Sequence, residues 1–279
     1  MVKIIIDSTA DLKPGLKENF IVVPLTVHFG EEEYLDGVTI DHKMFYDKLI
    51  ESDVLPTTSQ GTPHTFSKVF AEATADGSEC VVITISSTLS GTCQSAQIAA
   101  QDFSGKVFVV DSETVTVGAG ILAEYALELV KQGFSAKEIS ENLNECKKNI
   151  RIIALLDTLE YLQKGGRISK TTAFAGGLLN IKPVVCVKDG VIETLGKARG
   201  SKQGNNLLVK EIEAAGGVDF SKPVTLGYSG LSDHTLLKYI EDSGHLWKDH
   251  FSELRYTTIG SVVGTHVGPG AIAVAFFKK

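Results

Sequence analysis

Apolar and polar positions along the chain follow two different periods. Val2 to Ile6, Val81 to Ile85 and Lys106 to Val110 are short runs dominated by Val and Ile, the signature of strands buried on both faces. Other segments space their apolar residues three and four apart. Asp41 caps one such helix, with Met44, Phe45, Leu49 and Ile50 on its apolar side. Helices are also predicted over 65–75, from Thr92 to Ala100, and from Thr116 to Gln132, where Gly133 stops it. A further helix, Ser135 to Ile150, opens with the capping pair Ser135 and Glu138 and carries Ile139, Leu143, Cys146 and Ile150 at helical spacing. Strand and helix alternate, which predicts a mostly parallel sheet flanked by helices. Ile21 to Phe29 and Tyr34 to Ile40 flank Gly30 to Glu33 as a hairpin, while the two prolines of Leu55 to Pro63 predict a loop.

The character of the chain changes near Ile150. Arg151 to Leu156 is a strand, and Val184 to Lys188 with Val191 to Lys197 form a hairpin around Asp189 and Gly190. Helices follow at Ser201 to Ala214 and Asp233 to Ile240, with strands at Val224 to Tyr228, Arg255 to Ile259 and Ala271 to Phe277. Gly260 to Gly270, with several glycines, one proline and one histidine, reads as a loop that approaches something closely. The expected organisation is therefore α/β in two domains. Residues 1–150 would hold the parallel sheet and residues 151–279 a smaller α/β domain with a mixed sheet, a division that 279 residues permit.

Candidate chemistry sits in the turns. Asp7 to Thr9, Thr57 to Thr62 and Ser86 to Thr92 are rich in hydroxyls, and parallel topology would gather them at one edge of the sheet. Ser90 and Gly91 lead into a helix, whose first N–H groups lack partners and favour an anion. A neutral set of hydroxyls and N–H groups suits a carboxylate, with His266 as a further contact. Ser90 with His266 as base would instead make a serine esterase, although no orienting acid is evident. Gly118, Gly120 and Ala123 match a dinucleotide fingerprint but begin seven residues past the strand, so close helix packing explains them better. The segment Gly227 to Gly230 lacks the second glycine spacing of a nucleophile elbow.

Composition narrows the setting. A net charge of -7 argues against nucleic acid as a partner, and no apolar run is long enough to span a membrane, so a cytoplasmic location is expected. The four cysteines are scattered without metal-ligand spacing, and Cys93 reads as a packed residue rather than a nucleophile. No metal or cofactor is expected.

Five motifs make the chain recognisable: DSTADL at Asp7, TSQ at Thr58, SSTLSGTCQSA at Ser86, TLEYLQKGGRI at Thr158 and GTHVGPGA at Gly264. In these it resembles the DegV family along its whole length. The resemblance implies two α/β domains with a long-chain fatty acid between them. It further implies that the chain is a non-catalytic carrier, presenting the fatty acid carboxylate to an ATP-binding kinase subunit that forms an acyl phosphate. Carried over by motif, the carboxylate contacts are Thr58 and Ser59 of the TSQ loop, Ser90 and the Gly91 backbone, and His266. Arg199 falls where the family docks its kinase. A lipid-sensing regulatory protein would use the same pocket without a kinase. Two departures stand out: Gly61 follows Gln60 where the family has proline, which is delayed here to Pro63, and Cys93 replaces a tyrosine.

Overall fold

The computed structural model describes residues 1–168, 180–252 and 254–279. A four-stranded parallel sheet, ordered β2-β1-β6-β7, is built from β1 (Val2–Asp7), β2 (Ile21–Val23), β6 (Glu79–Thr84) and β7 (Val107–Asp111). Its outer face packs against α2 (Pro63–Thr74) and α3 (Thr92–Ala100), and its inner face against α4 (Val117–Lys131) and α5 (Ala136–Cys146). Ile5 faces the outer core with Phe66 and Phe70, while Ile4 and Ile6 face the inner one with Ile121. Burial on both faces is what makes the strand a continuous apolar run.

A six-stranded mixed sheet takes up the second half of the chain. Its order is β10-β9-β8-β13-β11-β12, from β8 (Ile150–Leu155), β9 (Ile181–Lys188), β10 (Val191–Arg199), β11 (Thr225–Tyr228), β12 (Tyr256–Thr258) and β13 (Ile272–Phe277). Helix α4 lies between the two sheets, touching β1 and β6 on one side and β8, β11 and β13 on the other. One core therefore runs from Ile4 and Val81 through Ile121 to Ile152 and Ala275. The far face of this sheet is covered by α7 (Gly200–Ala214), α8 (His234–Asp242) and α9 (Gly244–Trp247), through Leu208, Leu236 and Trp247.

The third sheet, β4-β3-β5, is small and antiparallel: β3 (Thr26–Phe29), β4 (Glu32–Leu35) and β5 (Thr57–Ser59). With α1 (His42–Glu51) it forms a core around Leu25, Val27, Phe45, Tyr46 and Val262. Two expectations are corrected here. Ile21 to Phe29 is not one strand. Ile21 to Val23 joins the parallel sheet and only Thr26 to Phe29 enters the hairpin, whose second strand is Glu32 to Leu35, ended by the positive-φ turn at Gly37. Thr57 to Ser59 is a strand rather than a loop, pairing with Thr26 to His28 between the two prolines. Three residues are too few to show a period, and a neighbouring edge, not propensity, recruits them.

The largest correction concerns the glycine-rich segment. Ser261–Val267 is a helix, α10, ended by Gly268 at φ 70°. Its interior glycine, Gly264, permits close packing: a Cβ there would lie 2.7 Å from Phe45 and 2.5 Å from the Tyr46 hydroxyl. A short helix, α6 (Glu160–Lys164), lies beside it.

Candidate functional site

The hairpin predicted at Asp189 and Gly190 forms as expected, with both turn residues at positive φ. Its tip reaches the other sheet. The Gly190 carbonyl accepts from Ser86 Oγ at 2.9 Å and Thr88 Oγ1 at 2.5 Å. These two hydroxyls of the Ser86 loop are thus used in joining the halves of the chain. Asp7 to Thr9 is likewise internal: the buried Asp7 carboxylate accepts from the N–H groups of Thr9 and Ile85, and burial raises its pKa.

What remains of the hydroxyl loops borders a cavity of about 330 Å³. Leu25, Ile85, Leu89 and Val115 wall it from the first half of the chain, and Leu162, Ile192, Val262 and Val263 from the second. Its polar positions are Thr58, Ser59, Gln60, Ser90, Gly91, Arg167 and His266. An apolar pocket with a few converging polar groups is the usual form of a small-molecule site.

The tertiary fold brings Thr58 and His266 together, 208 residues apart, with Oγ1 3.0 Å from Nε2. His266 Nδ1 is buried without a partner, and it faces the bare Cα of Gly165, where a Cβ would stand 2.2 Å away. Placing the proton on Nε2 avoids a buried N–H with no acceptor. His266 then donates to Thr58 Oγ1, which leaves the Thr58 hydroxyl proton free for a ligand oxygen. Burial, and secondarily the charge of Arg167, push the His266 pKa down to about 4, so the imidazole is neutral at pH 7.

Ser90 borders the same cavity, but its Oγ lies 2.9 Å from Thr92 Oγ1 and accepts from the Thr92 N–H at 3.3 Å. The serine–histidine hydrogen bond of an esterase is not present among these contacts, and the nitrogen that an orienting acid would hold is the unpartnered Nδ1. Gly91 is the N-cap of α3, and Gln60 lies across it, where a Cβ would meet Gln60 Oε1 at 2.1 Å. Gln60 Nε2 in turn donates to Ser95 Oγ at 3.0 Å.

Ser59 follows Thr58 on β5 and also borders the cavity, but its side chain is engaged elsewhere. Its hydroxyl is 2.7 Å from His28 Nε2. Arg199 is exposed at the end of β10, remote in role from the cavity, and its N–H donates to Gln203. Cys93 is buried in the first turn of α3 with its pKa raised by burial, as its packing role implied. Gly118 and Gly120 lie inside α4, where a Cβ on Gly120 would come within 2.2 Å of the Asp11 carbonyl, so close packing explains them. Ser229 of the elbow-like segment donates to the Gly268 carbonyl and accepts from Ala271 N–H.

Arg167 is a charged cavity residue to which the motifs by themselves assign no role. Its guanidinium donates to the carbonyls of Leu89 at 3.3 Å and Gly165 at 2.5 Å, placing a cation beside His266. It lies within the TLEYLQKGGRI motif, which was the available signal. Among the described residues, no group of three or more His, Cys, Asp or Glu is arranged to hold a metal, and no helix is long and apolar enough to cross a membrane.

The sequence matches, over residues 1–279, the family described as "Uncharacterised protein, DegV family". The chain belongs to the DegV family. A DegV domain-containing protein of Deinococcus radiodurans is 35% identical over 280 residues, 98% of this chain and 97% of that one. Among solved structures, a fatty-acid-binding DegV family protein from Thermus thermophilus is 32% identical with TM-score 0.88, covering 100% of this chain and 99% of that one. DegV of Bacillus subtilis, described as a fatty acid binding protein, is 30% identical with TM-score 0.84 at the same coverage.

Proposed function

We propose that the cavity holds a long-chain fatty acid, its carboxylate at Thr58, Ser90, the Gly91 N–H and His266 and its tail along the apolar walls. The observation that carries this reading is the Thr58–His266 pair at 3.0 Å, neutral and beside the Arg167 cation, at the polar part of an otherwise apolar cavity. The fatty acid binding named for the Thermus and Bacillus proteins supports it. Burying about fourteen methylenes at roughly 0.8 kcal/mol each contributes some 11 kcal/mol before association costs, so the tail supplies affinity. The head-group contacts offset desolvation and orient the acid. Arg167 adds an electrostatic preference for an anion, which motif reading did not assign.

The chain then acts as a cytoplasmic carrier, non-catalytic by itself and without a cofactor, offering the carboxylate to a separate ATP-binding kinase subunit. Exposed Arg199 at the end of β10 is suited to docking that subunit. Mass spectrometry of organic extracts from the purified protein should find a fatty acid, and the stripped protein should take up palmitate or oleate. A ligand-free chain that also refuses both overturns the reading. Arg199→Glu should abolish acyl phosphate formation with the kinase subunit and leave fatty acid uptake intact; persisting phosphorylation removes the docking role.

A further inference from the structure

The DSTADL turn does not border the cavity, and two buried acids near it have no part in the function proposed above. Asp11 belongs to that turn and Asp36 follows β4. Both reach the start of α10. The Gly260 N–H donates to Asp11 Oδ1 at 2.9 Å, and the Ser261 N–H donates to Asp36 Oδ1 at 3.1 Å. These partners are 249 and 225 residues apart in the chain.

Each acid is itself held. Thr116 Oγ1 donates to Asp11 Oδ2 at 2.5 Å, the Asp11 N–H donates to the Thr116 carbonyl at 3.3 Å, and the Asp11 carbonyl rests against Gly120 of α4. The Asp36 N–H donates at 2.9 Å to the carbonyl of Leu25, a wall of the cavity. Tyr46 Oη adds a 3.3 Å bond to the Ile259 carbonyl just before the helix.

Helix α10 spans seven residues, too few to persist without external support. Its first N–H groups have no intrahelical acceptor, and no residue adjacent in sequence caps them with a side chain. His266 lies six residues beyond Gly260, a lever of about 9 Å at 1.5 Å per residue. Tilting that lever by about 10° displaces the imidazole by roughly 1.5 Å, enough to break its bond to Thr58.

We propose that Asp11 and Asp36 are positioning residues: they clamp the start of α10, hold His266 against Thr58, and so set the preference of the cavity for a carboxylate over a neutral head group. The ligand preference rests on the fatty acid reading above, whereas the hold on His266 does not. Two acids whose pKa values are raised by burial, that of Asp11 further by the Asp36 charge, are a costly way to fill a core, and the N–H groups they hold account for their presence.

The test compares Asp11→Ala, Asp36→Ala and the corresponding Asn variants. One readout is the NMR titration of the His266 imidazole in ligand-free protein; the other is the affinity ratio between oleate and oleyl alcohol. The Ala variants should move the His266 titration back toward 6.5 and lower the acid-over-alcohol ratio about tenfold or more, with alcohol affinity changed by less than about threefold. Asn keeps an acceptor at Oδ1 and should restore both readouts. Folded Ala variants with wild-type titration and ratio overturn the clamp, as does a parallel loss of acid and alcohol, or Asn variants that behave as Ala. Should the Ala variants fail to fold, Thr116→Val loosens Asp11 without opening a cavity and must move both readouts in the same direction; unchanged readouts overturn the clamp. A wild-type protein that binds neither lipid overturns the fatty acid reading, and the imidazole titration then judges the clamp alone.

Discussion

Thr58→Val removes one hydroxyl and little volume, which makes it the sharpest probe of the head-group site. In the ligand-free protein, Thr58 Oγ1 is the acceptor 3.0 Å from His266 Nε2. Its loss leaves a buried imidazole N–H without a partner, a penalty of about 1–3 kcal/mol that appears as lower stability in urea or thermal unfolding. In the bound state the Thr58 hydroxyl proton also serves the carboxylate, and a hydrogen bond to a charged group contributes about 1.5–3 kcal/mol. Affinity for oleate should therefore fall roughly ten- to hundredfold at pH 7. Oleyl alcohol has the same tail without the charge, and its affinity should change by less than about threefold. Calorimetric titration of the stripped protein with both lipids measures the two numbers. Unchanged oleate affinity in a destabilised Thr58→Val protein would remove Thr58 from the head-group site, and equal losses for acid and alcohol would mean that the substitution had disturbed the tail cavity instead.

Three further outcomes are expected. Gly165→Ala puts a Cβ 2.2 Å from His266 Nδ1 and 3.0 Å from the Tyr161 carbonyl, so it should destabilise the fold by about 1–3 kcal/mol and weaken oleate binding; a variant with wild-type unfolding and affinity would show that the imidazole does not rest there. His266 titrates near 4 when folded against 6.5 otherwise, so protonation favours the unfolded chain: its contribution is complete above pH 6.5 and is lost as pH falls toward 4, by up to about 3 kcal/mol. Denaturant unfolding at pH 7.5 and 4.5 should show this extra acid sensitivity in the wild type and not in His266→Asn. Ser86→Ala combined with Thr88→Val removes both hydroxyls that the Gly190 carbonyl accepts and should cost about 1–3 kcal/mol, with faster amide hydrogen exchange at the tip of the β9–β10 hairpin; exchange at the wild-type rate would mean that this contact does not hold the hairpin.

Much of the fold was legible because its signals are local. Val2 to Ile6 and Val81 to Ile85 are strands since their apolar content suits burial on both faces, and the Asp189–Gly190 turn forms since both residues tolerate positive φ. The capping box of Ser135 and Glu138 is present as read. Helices α1 to α5, α7 and α8 lie within a few residues of where their patterns put them, although the helix expected over Ser135 to Ile150 ends earlier, at Cys146. Asp7 to Thr9 has the composition of a third hydroxyl loop around a ligand, yet the Asp7 carboxylate is committed to Ile85, and Asp11 of the same turn to the start of α10.

What the sequence by itself determined was the alternation of elements and the set of polar motifs, because propensity, caps and turn chemistry act over a few residues. Family membership was legible for the same reason: the motifs are contiguous. Tertiary structure alone decided that Ser261 to Val267 would be a helix, since its caps come from Asp11 and Asp36 and its glycine is covered by Phe45 and Tyr46. It likewise decided that Thr57 to Ser59 would be a strand, by offering the edge of β3. The placement of His266 against Thr58, with Arg167 beside it, belongs to the same class. A neutral imidazole, a free hydroxyl proton and a nearby cation became one site only when segments from both halves of the chain met, and no local pattern encodes that meeting.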